Sequence, residues 1–291
     1  MTVIPFCKFH GFGNDYVVIE KENVPAGADL QDLARAICHR HTGAGADGIA
    51  VLEELHGENA DYFCEIVNPD GSIAGFSGNG TRCAVSYLYY AGLWKDENLR
   101  LRTRSGLKNY RLIENSANRT FWFDAEIGKP KFASDGVPVF MPEHQDSVID
   151  FPVIAAGREF LISCVNAGNP VACVFVDDFD PEWRTFGKAL EVHDVFPEKA
   201  NIVFVKVIDS GNIEIKIWER AAGETSSSGT CSTGAAVLSA FTGRTDRGVS
   251  VHAEGGTTQV AWRDDDEMVI TGRADLAFCG DWLTDAEART Q

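Results

Sequence analysis

The chain carries one local pattern twice, and that duplication constrains its fold more than any other feature. Ile66-Val67-Asn68-Pro69-Asp70-Gly71-Ser72 leads to Phe76-Ser77-Gly78-Asn79-Gly80, and Ile217-Trp218-Glu219-Arg220 leads to Ser227-Ser228-Gly229-Thr230. The step from Asn68 to Glu219 equals the step from Ser77 to Ser228, so the copies align without a gap. Each copy opens with a short β-prone run, passes through a Gly-rich loop and enters a small-residue stretch of helical character. Two similar halves, each presenting a Ser-Gly turn at a helix start, suggest one site built between them.

The bulk composition accommodates two such halves. A length of 291 residues corresponds to about two domains. A hydrophobic content of 44% with 24% charged residues is ordinary globular composition, enough for two cores. The net charge of −17 argues against nucleic acid or an anionic membrane as partner, while leaving room for a local cationic pocket. Met1 to Glu20 lacks a basic segment followed by an apolar one, and no apolar run approaches the roughly 18 residues of a membrane span. The expected location is cytoplasmic. The eight cysteines (Cys7, Cys38, Cys64, Cys83, Cys164, Cys173, Cys231 and Cys279) are scattered without a CxxC pair, which fits free thiols in a reducing compartment.

Strand-like runs dominate: Tyr16 to Glu20, Ile49 to Glu53, Phe63 to Val67, Thr120 to Ala125, Val171 to Val176, Ile202 to Val207, Ile213 to Trp218 and Met268 to Thr271. Three helices are predicted. Leu30, Leu33, Ala34 and Ile37 recur at helical spacing behind a capping Asp29. Thr81 to Ala91 stops at Gly92, and Thr230 to Phe241 stops near Gly243. With so few helices to cross over so many strands, the class is α+β, with mostly antiparallel sheets wrapped around a central helix in each half. The expected halves are 1–121 with 270–291, and 122–269.

Two motifs are turned down on context. Gly43-Ala44-Gly45-Ala46-Asp47-Gly48 spells GxGxxG, but it follows a helix and precedes a strand, the reverse of a dinucleotide site. Cys38-His39-Arg40-His41 packs metal-type side chains at a helix end with no distant partner pair, so no metal site is expected. Ser77 and Ser228 admit two readings. A serine before a helix is a good N-cap, worth about 1 kcal/mol; alternatively, the unbonded N–H groups of each helix start form an anion cradle with a side chain at its mouth. Asn14, Asn68, Asn169 and Asn201 are turn formers or, together with Glu219 and a bidentate Arg220, readers of a polar substrate.

The ordered matches resemble one family over nearly the full length. They are Lys8-Phe9-His10-Gly11-Phe12-Gly13-Asn14-Asp15-Tyr16, Arg40 to Gly48, Asn68 to Ser72, Gly78-Asn79-Gly80-Thr81-Arg82-Cys83, Gly168-Asn169-Pro170, Phe196 to Ile202, and Glu219 to Thr225. The chain resembles the diaminopimelate epimerases. The resemblance implies two pseudo-symmetric domains with the site in the cleft between them, a homodimer, an amino-acid substrate, and neither pyridoxal phosphate nor metal. It implies that Asn14, Asn68, Asn169, Asn201, Glu219 and Arg220 contact substrate, with Gly78-Asn79 and Gly229-Thr230 holding the reacting carboxylate.

In that family two cysteines move the α-proton on opposite faces; here they fall on Ser77 and Ser228. The family's assisting histidine falls on Val171, and a glycine falls on Cys231. The change is severe: preparing a serine base costs roughly 7 kcal/mol more than preparing a thiolate, and serine ordinarily needs a helper. Cys231 reads as a small packed residue, or as a displaced thiol. Three functions follow: an epimerase with serines in place of thiols; a same-fold isomerase or lyase on another amino or hydroxy acid, helped by Asp70, Glu219 or Glu224; and a binding homologue that keeps the pocket without the chemistry.

Overall fold

The computed structural model describes residues 2–56, 59–220 and 222–284; Ala221, inside the Glu219 to Thr225 match, falls outside them. The chain divides into two compact units, 1–125 with 272–291, and 126–271. Strands dominate both, in an α+β arrangement.

The first unit contains β1 (Thr2–Gly11), β2 (Asn14–Glu20), α1 (Leu30–Ile37), β3 (Ile49–Glu54), β4 (Tyr62–Val67), β5 (Ile73–Ala74), α2 (Gly78–Tyr90), β6 (Asn98–Thr103), β7 (Gly106–Ser116) and most of β8 (Thr120–Gly128). The second contains β9 (Val148–Ala155), β10 (Arg158–Asn166), β11 (Pro170–Phe175), α3 (Trp183–Glu191), β12 (Asn201–Asp209), β13 (Asn212–Glu219), β14 (Gly223–Thr225), α4 (Gly229–Phe241), β15 (Gly248–Ala253) and β16 (Gly256–Trp262). The last strand, β17 (Met268–Thr284), has residues in both.

The pairing is the same in each unit. In the first, β1 and β2 form a hairpin, β2 lies parallel to β3, β3 antiparallel to β4, and β4 pairs with β5 antiparallel and β6 parallel. In the second, β10 and β11 form the hairpin, β11 lies parallel to β12, β12 antiparallel to β13, and β13 pairs with β14 antiparallel and β15 parallel. The duplicated sequence pattern is therefore a duplicated strand order, with α2 and α4 at the same point in each.

Both of these helices are buried nearly all round, as a helix at the centre of a curved sheet must be. Small residues allow it: Gly, Thr, Ser, Cys and Ala supply most of the α4 sequence, which leaves room for the sheet to close in. The polar ones bond locally, as where Ser86 Oγ donates to the Arg82 carbonyl and Ser239 Oγ to that of Ala235. Each helix begins one turn or less before the predicted Thr81 and Thr230, because the glycines join the first turn. Each ends where a glycine takes the left-handed conformation: Gly92 at φ 72° and Gly243 at φ 71°.

Two expectations need correction. The helix α3 is absent from the sequence reading, although Trp183, Phe186 and Leu190 form its buried stripe and pack into the second unit's core. The cysteines are not all free thiols: Cys7 and Cys279 are bonded, with Cα atoms 4.0 Å apart, and the other six are free and buried. The pair is directly opposed in the β1–β17 ladder, so it is created by the pairing of the first and last strands and leaves no trace in local spacing. Among the described residues no helix is long and apolar enough to cross a membrane.

Candidate active site

In the first unit the candidate residues gather at the start of α2. Ser77 has extended backbone (φ −136°, ψ 120°), and its Oγ accepts the Gly80 N–H at 3.0 Å, a true N-cap. Helix geometry leaves the Gly78 and Asn79 N–H groups without an intrahelical acceptor, so they are available to an anion. The Ser77 Oγ also lies 2.9 Å from the Tyr16 hydroxyl.

A directional chain of hydrogen bonds sets the neighbouring amides. Arg82, fully buried in α2, has only donors, and its Nη1 donates to Asn79 Oδ1 at 2.8 Å. Asn79 must then turn its Nδ2 to Asn14 Oδ1, at 3.2 Å, and Asn14 turns its own Nδ2 to the Asp47 carboxylate, at 2.8 Å. A donor-only residue at one end and an acceptor-only residue at the other leave one orientation for both amides. Beneath them Asp15 is held by Arg40 and Lys8; burial works against its charge, but these two cations win and bring it to about 2. Asp47 belongs to the Gly43–Gly48 loop, whose role here is to carry that carboxylate to Asn14. Asn68 stays with its own turn, where its Nδ2 donates to Ser72 Oγ.

The second unit repeats the arrangement with one difference. Ser228, again extended (φ −149°, ψ 122°), does not cap α4 with its side chain. Its Oγ instead donates to Glu219 Oε2 at 3.1 Å, while Thr225 Oγ1 donates to Glu219 Oε1 at 2.8 Å. Burial raises the Glu219 pKa, and the two hydroxyl hydrogen bonds work against that rise. A carboxyl group biased toward its protonated form, hydrogen-bonded to a hydroxyl, is suited to trading a proton with it. Asn169 Nδ2 reaches Thr230 Oγ1 at 3.5 Å. Asn201 Oδ1 accepts the Arg220 N–H at 2.9 Å, and the Arg220 guanidinium donates to the Glu198 carbonyl at 3.0 Å from an exposed position.

Of the three helpers considered from the sequence, Glu219 alone touches a candidate base among the described residues. Glu224 is held by Nε and Nη2 of Arg184, at 2.6 Å each, and Asp70 is satisfied by the Ser72 hydroxyl and N–H. Cys231 is fully buried; burial and then the Glu219 charge push its thiol well above the ordinary range, while a hydrogen bond with Ser228 works the other way. Val171 is likewise fully buried against α4, near Gly234. Tyr16 is absent from the sequence reading of the site. Strand alternation was the available signal, because Tyr16 lies two residues beyond Asn14 on the same face of β2.

The succession of two alike strand–helix units recurs in solved structures that superpose on this chain. A phenazine biosynthesis protein of the PhzF family from Bacillus anthracis superposes with a TM-score of 0.68 at 17% identity, over 98% of this chain and 100% of that one. A hydroxyproline epimerase from Agrobacterium vitis gives 0.69 at 16% identity, over 99% and 93%. At such identities the likeness is one of fold.

Sequence goes further. Residues 6–132 and 163–277 match the diaminopimelate epimerase family. The diaminopimelate epimerase of Moorella thermoacetica is 36% identical over 282 residues, 96% of this chain and 99% of that protein. That of Caldanaerobacter subterraneus is 36% identical over 278 residues, 95% and 98% respectively. The chain belongs to the diaminopimelate epimerase family.

Proposed function

We propose that this protein is a cofactor-independent isomerase that interconverts L,L- and meso-diaminopimelate by moving the α-proton between two faces, with Ser77 and Ser228 at the positions of the thiol pair. The observation that carries the reading is the hydrogen bond from Ser228 to Glu219, a partly buried carboxyl group whose pKa burial raises. It supplies the helper that a serine requires. Glu219 takes the Ser228 proton as Ser228 takes the α-proton, or returns it in the opposite direction. On the other face of the α-carbon the proton passes through Ser77.

Recognition falls to the remaining set. The helix-start amides of Gly78 and Asn79, and of Gly229 and Thr230, hold the carboxylate beside the reacting carbon and stabilise the charge that develops there. Asn14, Asn68, Asn169 and Asn201 address the other polar groups, and Arg220 clamps the distal carboxylate. The domains proposed are 1–121 with 270–291, and 122–269, in a cytoplasmic homodimer.

The test is proton NMR of the protein with L,L-diaminopimelate in D₂O. Loss of the α-proton signal with appearance of the meso isomer supports the reading; absence of exchange at high protein concentration overturns it. The burial of Cys231 and Val171 favours a second reading, a pocket that binds diaminopimelate without turning it over. Calorimetric binding without exchange selects that one, and Ser77→Cys with Ser228→Cys then restores turnover.

A further inference from the structure

The first unit holds a second ionisable side chain at its serine. Tyr16 is almost fully buried, yet its hydroxyl is placed 2.9 Å from Ser77 Oγ. Its ring lies against two glycines. A Cβ on Gly48 would meet the ring's Cε1 at 2.7 Å, and one on Gly80 would meet the same atom at 2.8 Å and Cζ at 3.0 Å. No side chain other than hydrogen fits at either place without moving the ring. Gly48 closes the loop that carries Asp47, and Gly80 lies in the first turn of α2, so two separate segments are shaped around this one tyrosine.

Packing alone does not need the hydroxyl, because a phenylalanine would fill the same space. The hydroxyl is set where Ser77 requires a partner. One lone pair of Ser77 Oγ is already occupied by the Gly80 N–H. The hydroxyl proton and the second lone pair remain, and these face Tyr16. A phenol is a far stronger acid than an aliphatic alcohol, and so nearer to the thiol that the family uses at this position.

We propose that Tyr16 is the proton-holding partner of Ser77, a positioning residue that acts through the serine as Glu219 acts through Ser228. As Ser77 delivers its hydroxyl proton to the substrate carbanion, the Tyr16 O–H proton passes to Ser77 Oγ. A Cα–H bond forms, the Tyr16 O–H bond breaks, Ser77 ends neutral and Tyr16 ends as phenolate. In the reverse direction Ser77 takes the α-proton while its own proton moves to the phenolate. No other reactant is consumed. The proposal rests on the epimerase reading and deepens it on the Ser77 face.

The experiment is a cycle of Tyr16→Phe and Ser77→Cys in the full-length protein, with α-proton exchange of diaminopimelate in D₂O followed by NMR. In the serine protein, Tyr16→Phe is expected to lower kcat by ~100-fold or more, leaving KM and Tm nearly unchanged. In the Ser77→Cys background the same change is expected to cost at least about tenfold less, because a thiol needs no phenol beside it. Equal losses in the two backgrounds, or a loss below about threefold in the serine protein, overturn the proposal. If the unaltered protein exchanges nothing, the epimerase reading fails, and the dyad is judged separately by fluorine NMR of 3-fluorotyrosine at position 16. A resonance moved by Ser77→Ala upholds the pairing; an unmoved one overturns it.

Discussion

Glu219→Gln isolates the chemistry of one face from the architecture that carries it. The glutamine keeps the shape, and its amide oxygen can still accept from Thr225, as Oε1 does now at 2.8 Å. The amide nitrogen that replaces Oε2 has only hydrogens to offer, so the Ser228 hydroxyl, now donating at 3.1 Å, loses its acceptor. Loss of a charge-assisted hydrogen bond costs about 1.5–3 kcal/mol. Against that stands the relief of a partly buried carboxylate whose charged form burial disfavours. The net expectation is a protein at least as stable as the original at neutral pH.

The sign of the pH dependence agrees. Burial holds the folded-state pKa above the ordinary 4.5, so on raising the pH the unfolded chain loses this proton first. Stability from Glu219 is therefore full below about 4.5 and declines as the pH rises through the folded-state value; the variant lacks this slope. Catalysis moves the other way. Removing a general acid–base partner costs about 10²–10⁴-fold, or roughly 3–5 kcal/mol of barrier. The assay is α-proton washout in D₂O from each stereoisomer separately, beside thermal denaturation from pH 4 to 8. Net epimerisation falls, while washout from the isomer deprotonated on the Ser77 face persists. Equal loss of washout from both isomers together with a lowered Tm would refute the reasoning, because it would mean a damaged fold rather than a missing proton acceptor.

Other perturbations probe the rest of the site. Asp15→Asn removes a carboxylate held at about 2 against an ordinary 3.8, a contribution of about 2 kcal/mol that is present above pH 3.8 and lost as the pH falls through 2. Acid unfolding of the variant is accordingly expected to be shallower over that window and to start from lower stability. Reducing the Cys7–Cys279 bond, which spans a sequence separation of 272, removes at most about 5 kcal/mol of chain-entropy stabilisation. Calorimetry with and without a thiol reductant is expected to show a Tm drop of roughly 10 °C or less. Arg82→Met replaces a buried guanidinium whose Nε has no hydrogen-bond partner among the described residues, so Tm is expected to hold or rise. Asn79 loses its oriented donor in the same variant, and diaminopimelate affinity by calorimetry is expected to fall by about tenfold.

The sequence by itself determined the duplication, the α+β class and the two serines at helix starts. Those features are local or periodic: the Asp29 cap, the glycines at 92 and 243, the continuous apolar runs of β2 and β12 and the alternation in β13 are all written in neighbouring residues. Other elements carry weaker marks. In β9, Pro152 and an exposed Ile154 break the alternation, and in α3 a central Gly187 lowers helix propensity; that glycine is needed where Trp218 packs on it. Only the tertiary structure decided which groups the serines meet. Tyr16 and Ser77 belong to different elements, as do Glu219 and Ser228, and Cys7 meets Cys279 through the closure of β1 on β17. A hydrogen bond forms or fails within a few tenths of an ångström. Distances of that order are set by strand register and by which Cβ is missing beside a ring, and a linear pattern of polar and apolar residues does not specify them.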